Sequence, residues 1–199
     1  MNASVQDDIA AVAARWVAEE GLEYGAAKRR AVKELGLPAR AALPSNEQVE
    51  AAVREHLSIF CADTQPQELA VLRDMARVWM QRLSAFRPHL SGAVWRGTAT
   101  RHSDIYLQLF CDDSKSAEMD LINQGVRYDV TEVVGFQGDV VDALTVVLPC
   151  REWSQNVCLH LMIYDYDDLR GALKPDTNGQ TWRGNLTALE ILMNGDVRQ

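Results

Sequence analysis

The pattern of apolar positions divides the chain into a first part with helical periodicity and a second part with short β-rich runs. From Gln6 to Glu20, apolar residues recur every three or four positions, which is typical of one face of an amphipathic helix. The same spacing, with the capping pair Ser45 and Gln48, predicts four helices, at about residues 6–20, 24–35, 45–61 and 64–86. Residues 1–88 are therefore predicted to form a helical region.

After Pro88 the chain changes to short runs rich in β-branched and aromatic residues, separated by turn residues. These runs predict five strands, at residues 93–97, 104–110, 127–134, 143–148 and 157–164. A helix is predicted between the second and third strands, and a last short helix in LTALEILM. We expect an α+β fold, in which the helical region packs on a small mixed β-sheet in residues 89–170, followed by a C-terminal extension at residues 171–199.

The distribution of charge limits the functions that this fold could serve. The net charge is −8, and residues 91–199 hold 9 Lys and Arg against 16 Asp and Glu. An acidic surface repels a phosphate backbone, so general nucleic-acid binding is disfavoured. The basic run AKRRAVK on the second predicted helix, after a glycine turn, keeps a helix-turn-helix DNA-binding regulator as an alternative.

Hydropathy and cysteine spacing indicate the compartment. No run approaches the roughly 18 to 20 apolar residues that a membrane span needs, and acids interrupt the N-terminal sequence where a signal peptide would be apolar. The four cysteines lack CxxC spacing, which favours buried thiols over a zinc site. We expect a cytoplasmic protein without a membrane partner.

One short stretch, GTATRHSDIYLQLF, carries the candidate chemistry. A predicted strand ends in Gly97 and Thr98, a loop follows, and Ser103 and Asp104 begin the next strand. This order resembles the nucleotidyltransferase superfamily, whose motif is a strand, a Gly-Ser or Gly-Thr turn, a loop, and a strand with two alternating acids. The family's third acid lies on a later strand, and GVRYDVTEV offers Asp129 there.

The resemblance implies a sheet of nucleotidyltransferase type that binds a nucleoside triphosphate with Mg²⁺ and transfers a nucleotidyl group to an unknown hydroxyl acceptor. Asp104 and Asp129 would be the catalytic metal ligands, because Mg²⁺ binds hard oxygen ligands. If the strand containing Asp129 pairs beside that of Asp104, the two acids would lie about 5 Å apart.

The resemblance also implies the residues that would bind the nucleotide. Gly97 and Thr98 would present backbone N–H groups and a hydroxyl to the phosphates. Ser103 and Arg101, in the loop between the two strands, complete the expected nucleotide-binding set; the family pattern does not assign Arg101, which is included for its positive charge.

Tyr106 departs from this pattern, because it occupies the position of the second acid and a phenol is a poor Mg²⁺ ligand. Three interpretations remain open: a weakened or one-metal enzyme, a degraded nucleotidyltransferase-like binding or regulatory protein, and a chance match. Asp112, Asp113 and Glu132 are the acids that could substitute. We interpret His160 as a hydrogen-bonded strand histidine. The partners would be a nucleotide, an unknown acceptor or protein, or a second copy of the chain.

Overall fold

A computed structural model of the chain describes residues 2–175, 179 and 181–196. Its helices are α1 (Asn2–Glu20), α2 (Tyr24–Glu34), α3 (Asn46–Phe60), α4 (Gln65–Arg82), α5 (Gly92–Arg96), α6 (Ser116–Asn123), α7 (Leu169–Ala172) and α8 (Leu186–Asp196). Its strands are β1 (His89–Ser91), β2 (Ile105–Cys111), β3 (Asp129–Val134), β4 (Val140–Cys150), β5 (Gln155–Asp165) and β6 (Arg183–Gly184). The predicted α+β class, with helices first and a mixed sheet after them, is confirmed. Residues 176–178, 180 and 197–199 of the predicted C-terminal extension lie outside the described residues.

The chain forms two compact units. A helical unit comprises Met1–Leu69 and Thr98–Ser103, and a sheet unit comprises Ala70–Gly97 and Asp104–Gln199. Compactness therefore groups most of α4 with the sheet. The sequence-based boundaries after residues 88 and 170 stay a prediction of domain organisation.

The helical unit is built on small and branched apolar residues that face each other between α1, α2 and α3. Ile9, Ala13 and Val53 are fully buried in this core. The predicted capping pair begins α3, because Ser45 Oγ accepts from the Gln48 backbone N–H at 3.2 Å and Gln48 Oε1 accepts from the Ser45 N–H at 2.7 Å.

The segment Thr98–Ser103 packs against the end of α1 within the same unit. Thr100 Oγ1 donates to the carbonyl of Ala18 at 2.9 Å. Gly21 ends α1 with φ +65°, and a Cβ there would lie 2.8 Å from the carbonyl carbon of His102 and closer still to its oxygen. Only glycine tolerates both this backbone conformation and this close approach.

The sheet unit contains six strands in the order β3-β4-β5-β2-β1-β6. The central pair, β2 and β5, is parallel, with Tyr106 opposite His160. The other neighbours pair antiparallel. Because side chains alternate along each strand, the sheet has one face that is buried and one that is partly exposed. The buried face includes Leu107, Leu144 and Leu161, each at most 2% exposed.

The strand predicted at residues 93–97 is wrong. The strand there is β1, which ends at Ser91, and residues 92–96 form the short helix α5 with Gly97 as its C-cap at φ +81°. The apolar run AVW predicts a strand because Val and Trp favour sheets, but so short a run cannot be distinguished from one buried helical turn by its pattern.

Candidate functional site

Asp104 and Tyr106 lie where strand alternation predicts, at the start of β2 and two residues apart. Asp104 immediately precedes β2 and its side chain is 42% exposed, whereas Tyr106 is half-buried. Both residues belong to the partly exposed face of the sheet, because residues i and i+2 of a strand share a face.

Asp129 lies on the same face but at the far edge of the sheet. The condition that β3 pairs beside the strand of Asp104 is not met: β3 pairs with β4, and both β4 and β5 lie between it and β2. Three strand spacings separate the two backbones by about 14 Å. Oxygen ligands of one Mg²⁺ lie only about 2 Å from the ion, so Asp104 and Asp129 do not fit a shared metal.

The other acids considered from the sequence do not restore the missing carboxylate. Asp112 and Asp113 follow the opposite end of β2 from Asp104. Glu132 is on the edge strand β3, where it is paired with Asp142 of β4. Among the residues that the structure describes, no group of three or more His, Cys, Asp or Glu side chains is arranged to hold a metal ion.

The predicted nucleotide-binding residues Thr98, Arg101 and Ser103 are brought together in the loop of the helical unit. Ser103 Oγ accepts from the Thr100 N–H at 3.0 Å, and the Arg101 N–H donates to Glu68 Oε2 at 2.9 Å. Thr98 is 2% exposed. These contacts anchor the loop through Ser103 Oγ and the Arg101 N–H, whereas the buried Thr98 Oγ1 has no hydrogen-bond partner in the described part of the chain.

The glycine that follows a strand is Gly92 rather than Gly97. It begins α5 directly after β1, with φ +71°, and a Cβ on it would lie 3.3 Å from Cδ2 of Tyr106. Sequence analysis missed Gly92 because the strand was placed four residues too late. The signal that could have found it is the order LSG, an apolar residue and a serine before a glycine, twelve positions ahead of Asp104.

His160 is the residue that the neighbouring strand places beside Tyr106. Its Nε2 lies 3.2 Å from Asp104 Oδ2, and its Nδ1 lies 2.9 Å from Thr145 Oγ1. Its ring also stacks on that of Tyr106, with the centroids 4.8 Å apart and the planes at 23°. His160 is thus hydrogen-bonded, as interpreted from the sequence, and it lies at the centre of a four-residue cluster: Asp104, Tyr106, Thr145 and His160.

The chemistry of the cluster's side chains determines which group donates in each of its hydrogen bonds. An ionised carboxylate can only accept, so His160 Nε2 carries the hydrogen that Asp104 receives. The neutral imidazole then accepts at Nδ1, and the Thr145 hydroxyl donates to it. A carboxylate, an imidazole and a hydroxyl are therefore linked in one chain.

A cysteine lies next to this cluster on the same face. Cys158 precedes His160 by two residues on β5 and is half-buried. Burial raises the pKa of its thiol, and the charge of Asp104 raises it further. The thiol therefore keeps its proton at neutral pH and is a weak nucleophile.

Two of the four basic residues of the run on α2 are engaged inside the helical unit. Lys28 is 9% exposed and donates to Pro44 O at 2.8 Å and to Asn46 Oδ1 at 2.7 Å. Arg30 pairs with Glu20 at 2.5 Å. These two cations are therefore committed to intramolecular contacts.

In the described part of the chain no helix has the length and apolar character needed to cross a lipid bilayer. Comparison of the sequence with models of protein families finds no match, and comparison with curated proteins finds none. The likeness to nucleotidyltransferases therefore rests on the sequence motif alone.

Proposed function

We propose that the sheet unit is a nucleotidyltransferase-like binding module that takes up a nucleoside triphosphate without a shared Mg²⁺ and does not transfer the nucleotidyl group. The observation that carries this proposal is the identity of the residue beside Tyr106. That residue, on the strand next to β2, is His160, and it is hydrogen-bonded to Asp104. A two-metal site would need a second carboxylate at this position.

The cluster supports binding through its shape and its polar groups. Tyr106 and His160 form a stacked aromatic pair on a half-exposed face, and aromatic rings are sequence-tolerant platforms for bases. Thr145 adds a hydroxyl beside them. One carboxylate already engaged by an imidazole leaves no pair of acids to polarise an α-phosphate, which argues against transfer.

The test is a calorimetric titration with ATP in EDTA and again with Mg²⁺. The dissociation constant is expected to be the same within about threefold in both, and no pyrophosphate is released. Tyr106→Ala should weaken binding by roughly 5- to 150-fold, because stacking contributes about 1–3 kcal/mol per base. Asp129→Asn is the matched control, since it changes an acid of the same face at the distant edge, and should leave binding unchanged.

Two outcomes contradict this proposal. One is the absence of nucleotide binding by the intact chain. The other is an affinity for ATP that rises tenfold or more with Mg²⁺ and falls in Asp129→Asn. That result would show that Asp104 and Asp129 bind a shared metal ion after all. Tyr106→Asp separates the alternatives further: turnover created by this one carboxylate would identify a weakened enzyme rather than a binding module.

A second candidate function follows from the chain of Asp104, His160 and Thr145. A hydroxyl bonded to an imidazole that is oriented by a carboxylate is the arrangement of nucleophilic hydrolases. In such a reaction, Thr145 Oγ1 would attack an acyl carbon while His160 Nδ1 takes its proton and later returns it to the leaving group. Water would then hydrolyse the acyl-threonine.

Labelling with an activated ester tests this second candidate. Peptide mass spectrometry should find acylation at Thr145 in the native protein and none in His160→Gln. Thr131 of the native protein is the internal control, because it is a more exposed threonine on the same face whose hydroxyl has no imidazole partner in the part described. Equal labelling of Thr131 and Thr145 would show that the hydroxyl of Thr145 is not activated.

The DNA-binding alternative has its own test. A helix-turn-helix regulator would be retained on DNA at low salt and released steeply as salt rises. Absence of retention at low salt would exclude it.

A further inference from the structure

Arg183 brings a positive charge to the same face of the sheet, at its other edge. It lies on β6 opposite Ser91 of β1, and Ser91 lies opposite Tyr106. Its guanidinium packs over the ring of Phe136, with Cζ 4.3 Å from the centroid. Phe136 in turn contacts Tyr164 at a centroid distance of 4.8 Å. Arg183 thus packs against one ring of an aromatic pair.

Two nitrogen atoms of the guanidinium are buried without a hydrogen-bond partner among the described residues, although the residue as a whole is half-buried. In residues 2–175, 179 and 181–196, neither Nε nor Nη1 of Arg183 has a hydrogen-bond partner, although both atoms are inaccessible to solvent. Burial lowers the pKa of Arg183, and the nearby group that raises it is Tyr164. Buried N–H donors without acceptors are destabilising, so these two groups favour a ligand that offers acceptor oxygens.

A second buried polar atom lies in the same region. Gln108 is 5% exposed, and its Oε1 has no hydrogen-bond partner within the described part of the chain. Gln108 lies opposite His89, two residues before Ser91 on β1, so its side chain and that of Arg183 share a face across one strand. Burial lowers the pKa of His89 most, and the charge of Arg183 lowers it further, which places Arg183 near this row.

The third polar group of the region is the hydroxyl of Tyr164. The side chain is 4% exposed, and burial raises its pKa, so it keeps its proton at neutral pH and can donate a hydrogen bond. Its ring stacks on Phe110 at 5.6 Å. A ligand here would meet two or more donors and one acceptor, beside the rings of Phe110 and Phe136.

We infer that Arg183, Gln108 and Tyr164 form a binding pocket for a phosphoryl oxyanion. Arg183 and Tyr164 donate to its oxygens, and Gln108 Oε1 accepts from its P–OH group. A hydrogen phosphate group satisfies both kinds of partner, whereas a carboxylate offers acceptors alone. The pocket does not depend on nucleotide binding by the Tyr106 cluster, but it would supply the positive charge that a triphosphate bound without metal requires.

Inorganic phosphate is the probe, so that the test does not involve nucleotides. We expect the Nε–Hε signal of Arg183 in ¹⁵N NMR spectra to shift with phosphate in a saturable way, and the melting temperature to rise. Chloride and acetate at matched ionic strength should produce neither change. Arg170→Met is the control variant, because Arg170 is an exposed arginine of α7, and its response should equal that of the native protein.

Arg183→Met should lower the affinity for phosphate by roughly ten- to hundredfold, as expected for the loss of charge-assisted hydrogen bonds. If that variant does not fold, Gln108→Leu is measured instead, which removes the acceptor and keeps the volume; it should weaken phosphate binding by roughly three- to tenfold.

Three results overturn the inference. These are no saturable shift of the Arg183 signal at tens of millimolar phosphate, an undiminished phosphate response in the folded variant, and an acetate response as strong as that of phosphate. If phosphate binds and ATP does not, the pocket stands and the proposed nucleotide function fails.

Discussion

The end of α1 provides the sharpest test of the packing described above. Gly21 and Gly36 are both helix-terminating glycines, with nearly equal φ of +65° and +64°. They differ in their surroundings: a Cβ on Gly36 would meet nothing within 4 Å, whereas one on Gly21 would overlap the carbonyl of His102. Replacing each by alanine therefore separates the cost of the backbone conformation from the cost of the clash.

The expected magnitudes follow from these two environments. Gly36→Ala should lower the free energy of unfolding by about 1–2 kcal/mol, the strain of a left-handed alanine. Gly21→Ala carries the same strain and forces the loop carbonyl away, which adds about 1–3 kcal/mol for overpacking. It also strains the nearby hydrogen bond from Thr100 to Ala18. We expect Gly21→Ala to cost about 2 kcal/mol more than Gly36→Ala.

Urea denaturation, followed by circular dichroism and by tryptophan fluorescence, measures the difference. The two probes must give the same midpoint for a single free energy to be defined, because the chain contains two units. Equal losses for both variants would refute the reasoning, since they would show that the segment of residues 98–103 does not press on Gly21.

Two further predictions concern the sheet unit. Burial lowers the pKa of His89 below its ordinary 6.5, so the unfolded chain binds a proton first as the pH falls; stability is complete above pH 6.5 and is lost below it. His89 accounts for a fall of up to about 1.4 kcal/mol in the free energy of unfolding per pH unit, and His89→Gln should remove this fall. Urea denaturation at several pH values measures it, and a variant with the same pH profile as the native protein would contradict the prediction. Gly184→Ala should lower the melting temperature by roughly 4–10 °C, because its Cβ would lie 2.8 Å from Cζ2 of Trp95 and closer to two other ring atoms. Gly171→Ala, where a Cβ meets nothing within 4 Å, should be neutral or stabilising, and equal effects of the two substitutions would exclude a clash with Trp95.

The helices could be predicted from the sequence because their signals are local. The capping pair of α3 and the glycine after α2 each act within a few residues of the helix end, and both predict the helix ends that the structure has. Alternation along β2 likewise placed Asp104 and Tyr106 on one face. These features need no knowledge of the rest of the fold.

The order of the strands could not be predicted, because it depends on contacts between distant residues. After β2 the chain crosses through α6 to the far edge and returns by β4 and β5, so β5 takes the position beside β2. This order removes Asp129 from the site and brings His160 into it. Neither residue carries a local signal that distinguishes the two arrangements.

The parallel pairing of β2 with β5 has a consequence for how the sheet forms. Ile105 and Leu159 are register partners on these neighbouring central strands, but they are roughly fifty residues apart in the chain. A ribosome must release β5 before the two central strands can meet, and closing so large a loop slows folding. Until then β2 has an unpaired hydrogen-bonding edge, which makes the nascent chain vulnerable to aggregation at that strand.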